Sequence, residues 1–516
     1  MTGKPLFPWE LSLEQEIAAF EALKPRLADV WEALTLRDQE PHTSVVVPSL
    51  TLDRGGLEKL AGASFYEERL LFLLIRMRNP RARMVYVTSQ PVHPMILEYY
   101  FQLLAGIPAS HARARLTLLC AYDASPRSLT EKILARPRLI QRIRDGIQDP
   151  ARAYLTVFNS TPLERQLAVL LGIPLNGVDP SLSHLGSKSG SRKVFREAGV
   201  PLPEGAEDLR DRRDVVGALA ELGRRRPGLR KAVIKLDESF SGEGNAIFRY
   251  PPAAAAGGVA SRPVIDEALW ALELSVDDET PASYFEKFAA MGGIVEEFIG
   301  GREKVSPSVQ LRISPQGEVL VISSHDQILG GASEQIFLGC RFPARDAYRL
   351  RIQEAGVKIG GVLAARGVVS RFAVDFLIWR DLPDEPFNLA ALEINLRMGG
   401  TTHPYLALQF LTGGSLDAAT GQFWTPTGHP KCYRATDNLQ SEAYRGLLPD
   451  DLIEILTVNR LHYSLGSESG VLFHLIGAVS EFGKLGVTAI ADTPEEADSI
   501  YEQTLAVLDR ETSYER

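Results

Sequence analysis

The sequence is poor in the features that mark exported, membrane-embedded and zinc-binding proteins. Its three cysteines are scattered, without a CxxC pair or another spacing typical of metal ligands. This usage fits a reducing cytoplasm and argues against a cysteine zinc site. No apolar run approaches the roughly 18 residues that a membrane helix needs, and the amino-terminal MTGKPLFPWE lacks a basic segment followed by an apolar one. We therefore expect a soluble, cytoplasmic protein.

An excess of positive charge and the common nucleotide and nucleophile motifs are also missing. The formal net charge of −9 at pH 7 argues against a general nucleic-acid or anionic-membrane binder, although it leaves room for a local basic site. No GxGxxG opens a helix between residues 42 and 178, so that region has no dinucleotide fingerprint. We find no Ser-His-Asp or Cys-His arrangement and no internal repeat.

The first half of the chain alternates strand-like and helical segments. Residues 12–34 are typical of one amphipathic helix, with a capping box of Ser12 and Gln15. The alternation that follows favours an open α/β sheet, and the chain length favours roughly two to four domains. We assign residues 1–40 to the N-terminal helix and 41–177 to the sheet domain. The strands predicted in that domain are 44–50, 83–89, 114–122 and 153–159.

A second organisation follows the sheet domain. A long helix is predicted around 345–366 and a strand at 369–379, from helical and alternating apolar patterns respectively. We expect one domain over 178–422, within which about 199–300 forms a mobile lobe. The remaining residues, 423–516, are expected to form a small C-terminal domain.

The stretch ALEINLR (391–397) carries a chemical signal. Glu393 and Asn395 lie two apart on a predicted strand, so their side chains share a face. Asp375 lies in the apolar run FAVDFL, where a lone carboxylate is unfavourable to bury unless it is paired or bound to a metal. Together the three could form an all-oxygen site suited to magnesium. A half-buried edge strand with a polar outer face is the alternative.

Two lysines and a glycine break indicate a nucleotide site. Lys235 ends a β-branched run and precedes the Gly/Ser loop 239–245, whose backbone N–H groups could face an anion. Lys188 lies at a helix start. In VEEFIGGRE, the strand carrying Glu296 meets two glycines and then Glu303, which suits an adenine hinge and a ribose carboxylate. A plain hairpin, helix start and strand end are the alternatives.

In this order the motifs resemble the ATP-grasp superfamily of carboxylate–amine ligases, across roughly residues 178–415. The resemblance implies ATP and one or two Mg²⁺ ions as cofactors, with Arg397 at the Glu-x-Asn-x-Arg position. The metal ligands that it implies are Asp375, Glu393 and Asn395, and the catalytic residues are Arg397, Lys235 and Asp326. The residues that it implies for ATP binding are Lys188, Lys235, Ser239, Ser241, Gly242, Gly244, Glu296, Glu297, Ile299 and Glu303.

Further segments resemble peptide ligases of the pheganomycin type, in which a pre-ATP-grasp domain precedes the ATP-grasp fold. The fold implied is multidomain, α/β and α+β, with a Rossmann-like pre-ATP-grasp domain, an ATP-grasp fold and a small C-terminal domain. The segments are HARARL (111–116), GSKSGSRKVFREAGVP (186–201), SFSGEGNA (239–246), SSHDQILGG (323–331) and GVLFHLIGAVSEFGKLGVTAI (470–490).

The activity implied is amide-bond formation in two steps. A carboxylate attacks the γ-phosphate of ATP to give an acyl phosphate and ADP, and an amine then displaces phosphate. The implied substrates are small-molecule or peptide carboxylates and amines, in secondary-metabolite biosynthesis. A kinase or acyl-phosphate synthase without an amine acceptor is one alternative, and a nucleotide-binding scaffold without catalysis is another. We expect no nucleic-acid or membrane partner, and a homodimer is compatible with the sequence.

For three histidines, a structural role explains the sequence as well as a functional role does, or better. His325, with Asp326, follows the second strand beyond the hinge and is expected to face the acyl site, but a turn explains it equally. His111 lies in a basic cluster that suits a surface or domain contact. His403 lies in a Thr-Thr-His-Pro turn, where capping of the next helix explains it as well as substrate contact.

Overall fold

Three β-sheets, each with helices packed on it, organise the protein. The structure is a computed structural model that describes residues 11–36, 40–52, 54–238, 244–251, 260–276, 279–330 and 336–513. The mixed α/β architecture expected from the sequence is confirmed. Within these ranges, no helix is both long enough and apolar enough to cross a membrane.

The first sheet is parallel, in the strand order β3-β2-β1-β4-β5. Its strands are rich in valine and leucine because helices cover both faces of a parallel sheet. The four predicted strands are confirmed, and β5 escaped prediction because it is only two residues long. The strands are β1 (His42–Val47), β2 (Ala82–Thr88), β3 (Leu116–Cys120), β4 (Ala153–Val157) and β5 (Leu175–Asn176).

The segment 12–34, predicted as one helix, is two helices. α1 (Leu13–Leu23) begins at the predicted capping box, and α2 (Pro25–Leu36) follows after one residue. Proline lacks the N–H that would continue the hydrogen-bond ladder, so the prediction of a single helix was wrong. The other helices around the first sheet are α3 (Arg54–Lys59), a 3₁₀ helix (Ala63–Arg78), α4 (Pro94–Gln102), α5 (Ala109–Arg113), α6 (Leu129–Leu134), α7 (Pro137–Asp145) and α8 (Pro162–Leu171).

The second sheet is antiparallel, in the order β6-β10-β7-β8-β9, and lies within the segment expected as a mobile lobe. Its core contains the buried rings of Phe248, Tyr284 and Phe288. The strands are β6 (Gly205–Leu209), β7 (Lys231–Leu236), β8 (Asn245–Arg249), β9 (Glu273–Leu274) and β10 (Gly293–Glu297). The helices before and around it are α9 (Lys188–Glu197), α10 (Arg212–Arg225), α11 (Arg262–Ala268) and α12 (Pro281–Met291).

The third sheet has eleven strands and continues into the C-terminal segment, where β19 pairs with β14 and β21 pairs with β19. The strands are β11 (Glu303–Val305), β12 (Pro307–Ile313), β13 (Val319–Gly330), β14 (Ile336–Phe342), β15 (Ser370–Arg380), β16 (Asn388–Asn395), β17 (Ser415–Asp417), β18 (Gln422–Trp424), β19 (Pro430–Gln440), β20 (Gly470–His474) and β21 (Lys484–Ala491). The helices are α13 (Arg349–Ala365), α14 (Thr402–Thr412), α15 (Pro449–Val458), α16 (Val479–Phe482) and α17 (Pro494–Thr512).

One face of the third sheet is apolar and the other is polar. On the apolar face, Val309, Leu311, Phe372 and Val374 pack in one buried cluster with residues of α13. Because side chains alternate along a strand, the residues between them point to the opposite face. That polar face carries the chemistry described below.

Candidate active site

The third sheet brings the three predicted metal ligands together. β15 and β16 pair antiparallel, with Asp375 opposite Glu393 and Ala373 opposite Asn395. Asn395 Nδ2 donates a hydrogen bond of 3.0 Å to Asp375 Oδ2. On its other side, Asp375 lies opposite Ser308 of β12. We name Ser308, Asp375 and Glu393, which lie side by side across three strands, the acidic row.

The chemistry of this donor set fits magnesium. Burial, with the charge of Glu393 adding to it, raises the pKa of Asp375 to about 6. A bound cation relieves such repulsion, and Mg²⁺ takes carboxylate and amide oxygens as ligands. Among the described residues, no three His, Cys, Asp or Glu side chains gather as metal ligands. The candidate set therefore depends on the amide of Asn395 as well as on the two carboxylates.

Two cationic side chains flank the acidic row. Lys188 begins α9 and is buried, with its Nζ 2.5 Å from Glu393 Oε1. Arg397 follows β16. Burial lowers the pKa of Arg397, whereas the charges of Glu393 and Asp375 raise it, so its guanidinium lies within electrostatic reach of both carboxylates. The structure thus places Lys188 and Arg397 beside the predicted metal ligands.

Lys235, the second predicted phosphate lysine, lies in a buried cluster of ion pairs. Its Nζ is 2.6 Å from Oε2 of Glu296 on the adjacent strand. Arg192 donates a hydrogen bond of 2.7 Å to Glu296 Oε1. Although burial raises the pKa of Glu296, the charges of Lys235 and Arg192 hold it below its usual value. Arg192 was not predicted, although it lies four residues after Lys188 on α9, a spacing that shares a helix face.

The chain leaving β10 is the predicted adenine hinge, and it is held in place from one side. The Glu204 N–H donates a 3.0 Å hydrogen bond to Glu297 Oε1. Arg226 pairs with the other carboxylate oxygen of Glu297 at 2.8 Å. Ile299 follows outside any strand, half-buried. These contacts fix the chain at Glu297, three residues before Gly300 and Gly301.

Glu303 and Asp326 form a second acidic group, joined by Arg345. Glu303 pairs with Arg345 at 3.1 Å and with Arg380 at 2.6 Å, and hydrogen bonding to Arg380 lowers the pKa of Glu303. Tyr348 Oη donates to Asp326 Oδ1 at 2.6 Å, and the Arg345 N–H donates to Oδ2 at 3.1 Å. Asp326 therefore anchors the chain that enters α13.

Asp326 does not lie on the face of the acidic row. Ser308 is opposite His325 on one side and Asp375 on the other, and successive side chains of a strand point to opposite faces. His325 and Gln327 therefore share the polar face, whereas Asp326 points to the other. Gln327 Nε2 donates a hydrogen bond of 3.0 Å to Asp375 Oδ1. The structure brings Gln327, which was not among the predicted site residues, to the acidic row in place of Asp326.

The predicted phosphate loop is described only at its end. Ser239, Ser241 and Gly242 lie outside the described residues. The carbonyl of Gly244 accepts a hydrogen bond of 3.0 Å from Tyr284 Oη. Because the Tyr284 ring is buried in the core of the second sheet, this end of the loop is fixed to that sheet.

The three histidines with open roles occupy different environments. His111 is exposed on α5. His325 is buried, with Nε2 2.6 Å from Tyr433 Oη, and burial lowers its pKa to about 3. The ring centroid of His403, on α14, lies 3.9 Å from that of His474, and burial lowers the pKa of His403 as well. The rings of His325 and His403 are therefore neutral at pH 7, which suits packing and hydrogen bonding.

Two family models match the chain. An "IQCH-like, ATP-grasp" model matches residues 180–250 and 279–419, which contain the acidic row. A "PGM1 C-terminal domain" model matches residues 451–504, which contain β20, β21 and the first part of α17. The matched regions thus cover the site and much of the C-terminal segment.

Known proteins are similar to the chain over most of its length. The L-propargylglycine–L-glutamate ligase of Streptantibioticus cattleyicolor is 31% identical over 463 residues, which cover 88% of this chain and 91% of that protein. A biotin carboxylase–β-γ-ATP complex from Campylobacter jejuni has a TM-score of 0.53 at 13% identity, covering 91% of this chain and 92% of that one.

A third similar structure shares the fold. It is the biotin carboxylase domain of the Hydrogenobacter thermophilus 2-oxoglutarate carboxylase, a dimer in complex with ADP, magnesium and bicarbonate. Its TM-score is 0.52 at 14% identity, covering 90% of this chain and 89% of that one. The two structures show the fold. The similar ligase shows the family, because its 31% identity extends over most of both sequences. The chain belongs to the ATP-grasp family of carboxylate–amine ligases.

Proposed function

We propose that this ATP-dependent carbon–nitrogen ligase joins a carboxylate to an amine through an acyl phosphate, with ADP and phosphate as products. One observation supports the mechanism most directly. Asp375, Glu393 and Asn395 share one sheet face, with Lys188 and Arg397 beside them. In phosphoryl transfer the protein mainly positions groups and balances charge. These five side chains are suited to both tasks.

The charged residues would divide the work of holding ATP. Asp375, Glu393 and Asn395 would hold one or two Mg²⁺ ions, which supply charge neutralisation at the phosphates. Lys188 would exchange its contact with Glu393 for a phosphate oxygen. Arg397 would neutralise the transferring phosphoryl group, since a guanidinium stays charged and offers several donors.

The second sheet would form the other side of the nucleotide site. Glu297 and Ile299 would border the adenine, and Lys235 would reach the phosphates. Glu303, on β11 of the third sheet, would contact the ribose. The segment about 199–300, which contains this sheet, would close over the nucleotide as a lobe. Closure would keep water from the acyl phosphate, which is easily hydrolysed.

The reaction needs no covalent bond to the protein. A carboxylate oxygen of the first substrate attacks the γ-phosphorus of ATP, and the bond from that phosphorus to the bridging oxygen of ADP breaks. The amine nitrogen of the second substrate then attacks the acyl carbon, and inorganic phosphate leaves with the oxygen that came from the carboxylate. The amine loses a proton as the amide forms.

Amino acids are the substrate class that we propose. The similar ligase from Streptantibioticus cattleyicolor is named for L-propargylglycine and L-glutamate, both amino acids. The two substrates of this chain would be amino acids or short peptides. A homodimer stays a prediction.

Interception of the acyl phosphate tests the proposal. Protein, ATP, Mg²⁺ and a panel of amino acids and short peptides are incubated with hydroxylamine, and hydroxamate and ADP are measured together. We expect ATP-dependent hydroxamate from at least one acid, and a loss of about 100-fold or more in the variant Glu393→Gln. The matched control Glu454→Gln, which changes an exposed glutamate on α15, should stay fully active.

Two outcomes would contradict this function. Formation of AMP and pyrophosphate would indicate an adenylate in place of the acyl phosphate. Hydroxamate formation without any amide from amino-acid acceptors would instead favour an acyl-phosphate synthase. Separately, full activity of Glu393→Gln with magnesium would contradict the assignment of Glu393 as a metal ligand.

A further inference from the structure

Arginines line up beyond the acidic row on the same face of the third sheet. Arg312 lies opposite Arg371 in the β12–β15 ladder. Ala373 lies opposite Asn395, so the same antiparallel register carries Arg371 to Arg397, just past the end of β16. We name Arg312, Arg371 and Arg397 the basic row. Because a strand rises about 3.3 Å per residue, its backbone lies roughly 13 Å from that of the acidic row.

Arg312 and Arg371 of the basic row have no acidic counterpart in the described ranges. No carboxylate there lies within 4.0 Å of the guanidinium of Arg371 or Arg312. Nη1 of Arg371 and Nε of Arg312 are buried and have no hydrogen-bond partner among the residues that the structure describes. Arg312 is held by Asn176, to which it donates a 3.2 Å hydrogen bond, and by the Trp31 ring 3.8 Å from its guanidinium carbon.

Electrostatics at this position favour an anion. Burial, with the charge of Arg76 adding to it, lowers the pKa of Arg371 to about 10. Burial and the charge of Arg371 also lower the pKa of Arg312. Buried guanidinium N–H groups that lack an acceptor are unfavourable. An anion placed here would gain charge-assisted hydrogen bonds that the protein leaves unmade.

A narrow crevice leads to the basic row from the first sheet. Arg371 and Arg397 line one wall. The opposite wall consists of Phe158 and Asn159, which follow β4, and Asn176 at the end of β5. The carboxyl ends of parallel strands are where open α/β sheets bind ligands. Guanidinium and amide groups therefore line the same crevice.

We propose that this crevice binds a carboxylate of a substrate that does not itself react, with Arg371 as its principal contact. The inference rests on the proposed function, because it takes the acidic row as the place where the reacting carboxylate meets ATP. Arg397 links the two rows, because it belongs to the basic row and lies within electrostatic reach of Glu393 and Asp375. Two substrates could supply the anion: a dicarboxylic acid as the activated partner, or an amino acid as the amine.

Kinetics with matched substrates test the crevice. The variants are Arg371→Met, its conservative form Arg371→Lys, and the control Arg138→Met, which removes an exposed arginine of α7. In the acid arm, L-glutamate is compared with 4-aminobutyrate and L-2-aminobutyrate, with hydroxylamine as amine. In the amine arm, L-alanine is compared with L-alaninamide, with an acid that the wild type accepts.

We expect the wild type to prefer the substrate with the additional carboxylate in one arm. Arg371→Met should raise the KM for that substrate by about 10- to 100-fold, the range of a charged hydrogen bond. The KM for the analogue and for ATP should not change. Arg371→Lys should keep part of the preference, and Arg138→Met should keep all of it. The arm in which the preference disappears identifies the source of the anion.

Other results would overturn the assignment. A wild type without preference in either arm, or an Arg371→Met variant that keeps the preference, excludes carboxylate binding by Arg371. An equal loss with every substrate, together with a lower Tm, assigns Arg371 a structural role. If the wild type forms no ADP with any acid, the ligase proposal fails by itself. Calorimetric titration of L-glutamate with ADP and Mg²⁺ present then tests carboxylate binding in the crevice. If the wild type binds L-glutamate no more tightly than Arg371→Met does, the proposal is overturned.

Discussion

Lys188 and Lys235 each form an ion pair with one carboxylate. Nζ of Lys188 lies 2.5 Å from Glu393, and Nζ of Lys235 lies 2.6 Å from Glu296. Both lysines have little exposed side chain, so their charges are largely removed from water. Charges fixed in advance need little reorganisation when phosphate arrives. We infer that these ion pairs prepare the site for the nucleotide.

Removal of Lys235 should therefore affect stability as well as binding. In Lys235→Met, the buried Glu296 keeps only Arg192 as a cation, so we expect a loss of about 1–3 kcal/mol in the free energy of unfolding. ATP affinity should fall too. Denaturant unfolding and nucleotide titration measure both quantities.

A second substitution separates the two effects. Adding Glu296→Gln to Lys235→Met removes the uncompensated charge, so stability should recover while ATP affinity stays low. If Lys235→Met binds ATP as the wild type does, the assignment of this lysine to the phosphates is wrong. A stability equal to that of the wild type would mean that the ion pair with Glu296 contributes nothing.

At the scale of residues, local patterns in the sequence indicate the three candidate metal ligands. Alternation along β16 places Glu393 and Asn395 on one face, and the β15–β16 register adds Asp375 to that face. Gln327 and Arg192 could not be found this way, because their partners lie 48 and 104 residues away. Contacts over such distances depend on register and packing, which periodicity does not report.

At the scale of elements, length decided what could be predicted. The four long strands of the first sheet carry clear apolar runs, whereas β5 and β9 have two residues each and no readable period. The assignment of Asp326 to the site depended on its strand face. A shift of one residue along β13 exchanges Asp326 for Gln327, and no local pattern distinguishes those two faces.

The 3₁₀ helix Ala63–Arg78 carries a buried acid that should make stability depend on pH. Glu68 accepts a 3.0 Å hydrogen bond from the Gly477 N–H, and burial raises the pKa of Glu68 to about 7. The unfolded chain ionises this carboxyl at lower pH than the folded one does. Wild-type stability should therefore fall as pH rises from about 4.5 to 7 through this group.

The variant Glu68→Gln removes that dependence. Relative to the wild type, it should gain roughly 2–3 kcal/mol of stability between pH 5 and pH 8. Denaturant unfolding at both pH values measures the difference, with Glu454→Gln as the exposed control. A stability difference between wild type and Glu68→Gln that is the same at both values would show that Glu68 titrates normally.

At the scale of the whole molecule, the C-terminal segment is continuous with the catalytic sheet. β19 pairs with β14, and β21 pairs with β19. The Tyr433 ring of β19 stacks on Phe342 of β14 with 4.9 Å between centroids. One buried cluster also joins this segment to helices of the first sheet. The expected small domain over 423–516 therefore shares its core with the rest.

Truncation tests this continuity. A chain ending at residue 422 would expose the β14 edge and the Phe342 ring, so we expect it to aggregate or to lose its cooperative thermal transition. A chain that lacks only residues 514–516 serves as the control. Soluble truncated protein that melts cooperatively and binds ATP would show that residues 1–422 fold without the C-terminal segment.

The central claim is that the polar face of the third sheet activates a carboxylate by phosphorylation. Transfer of heavy oxygen measures this directly. The acid substrate is labelled in its carboxylate and incubated with ATP, Mg²⁺ and the amine, and the label is traced by mass spectrometry. We predict that one labelled oxygen appears in inorganic phosphate for each amide formed, at a rate that falls together with amide formation in Glu393→Gln. Label found in AMP, or amide formed without label in phosphate, would contradict the account.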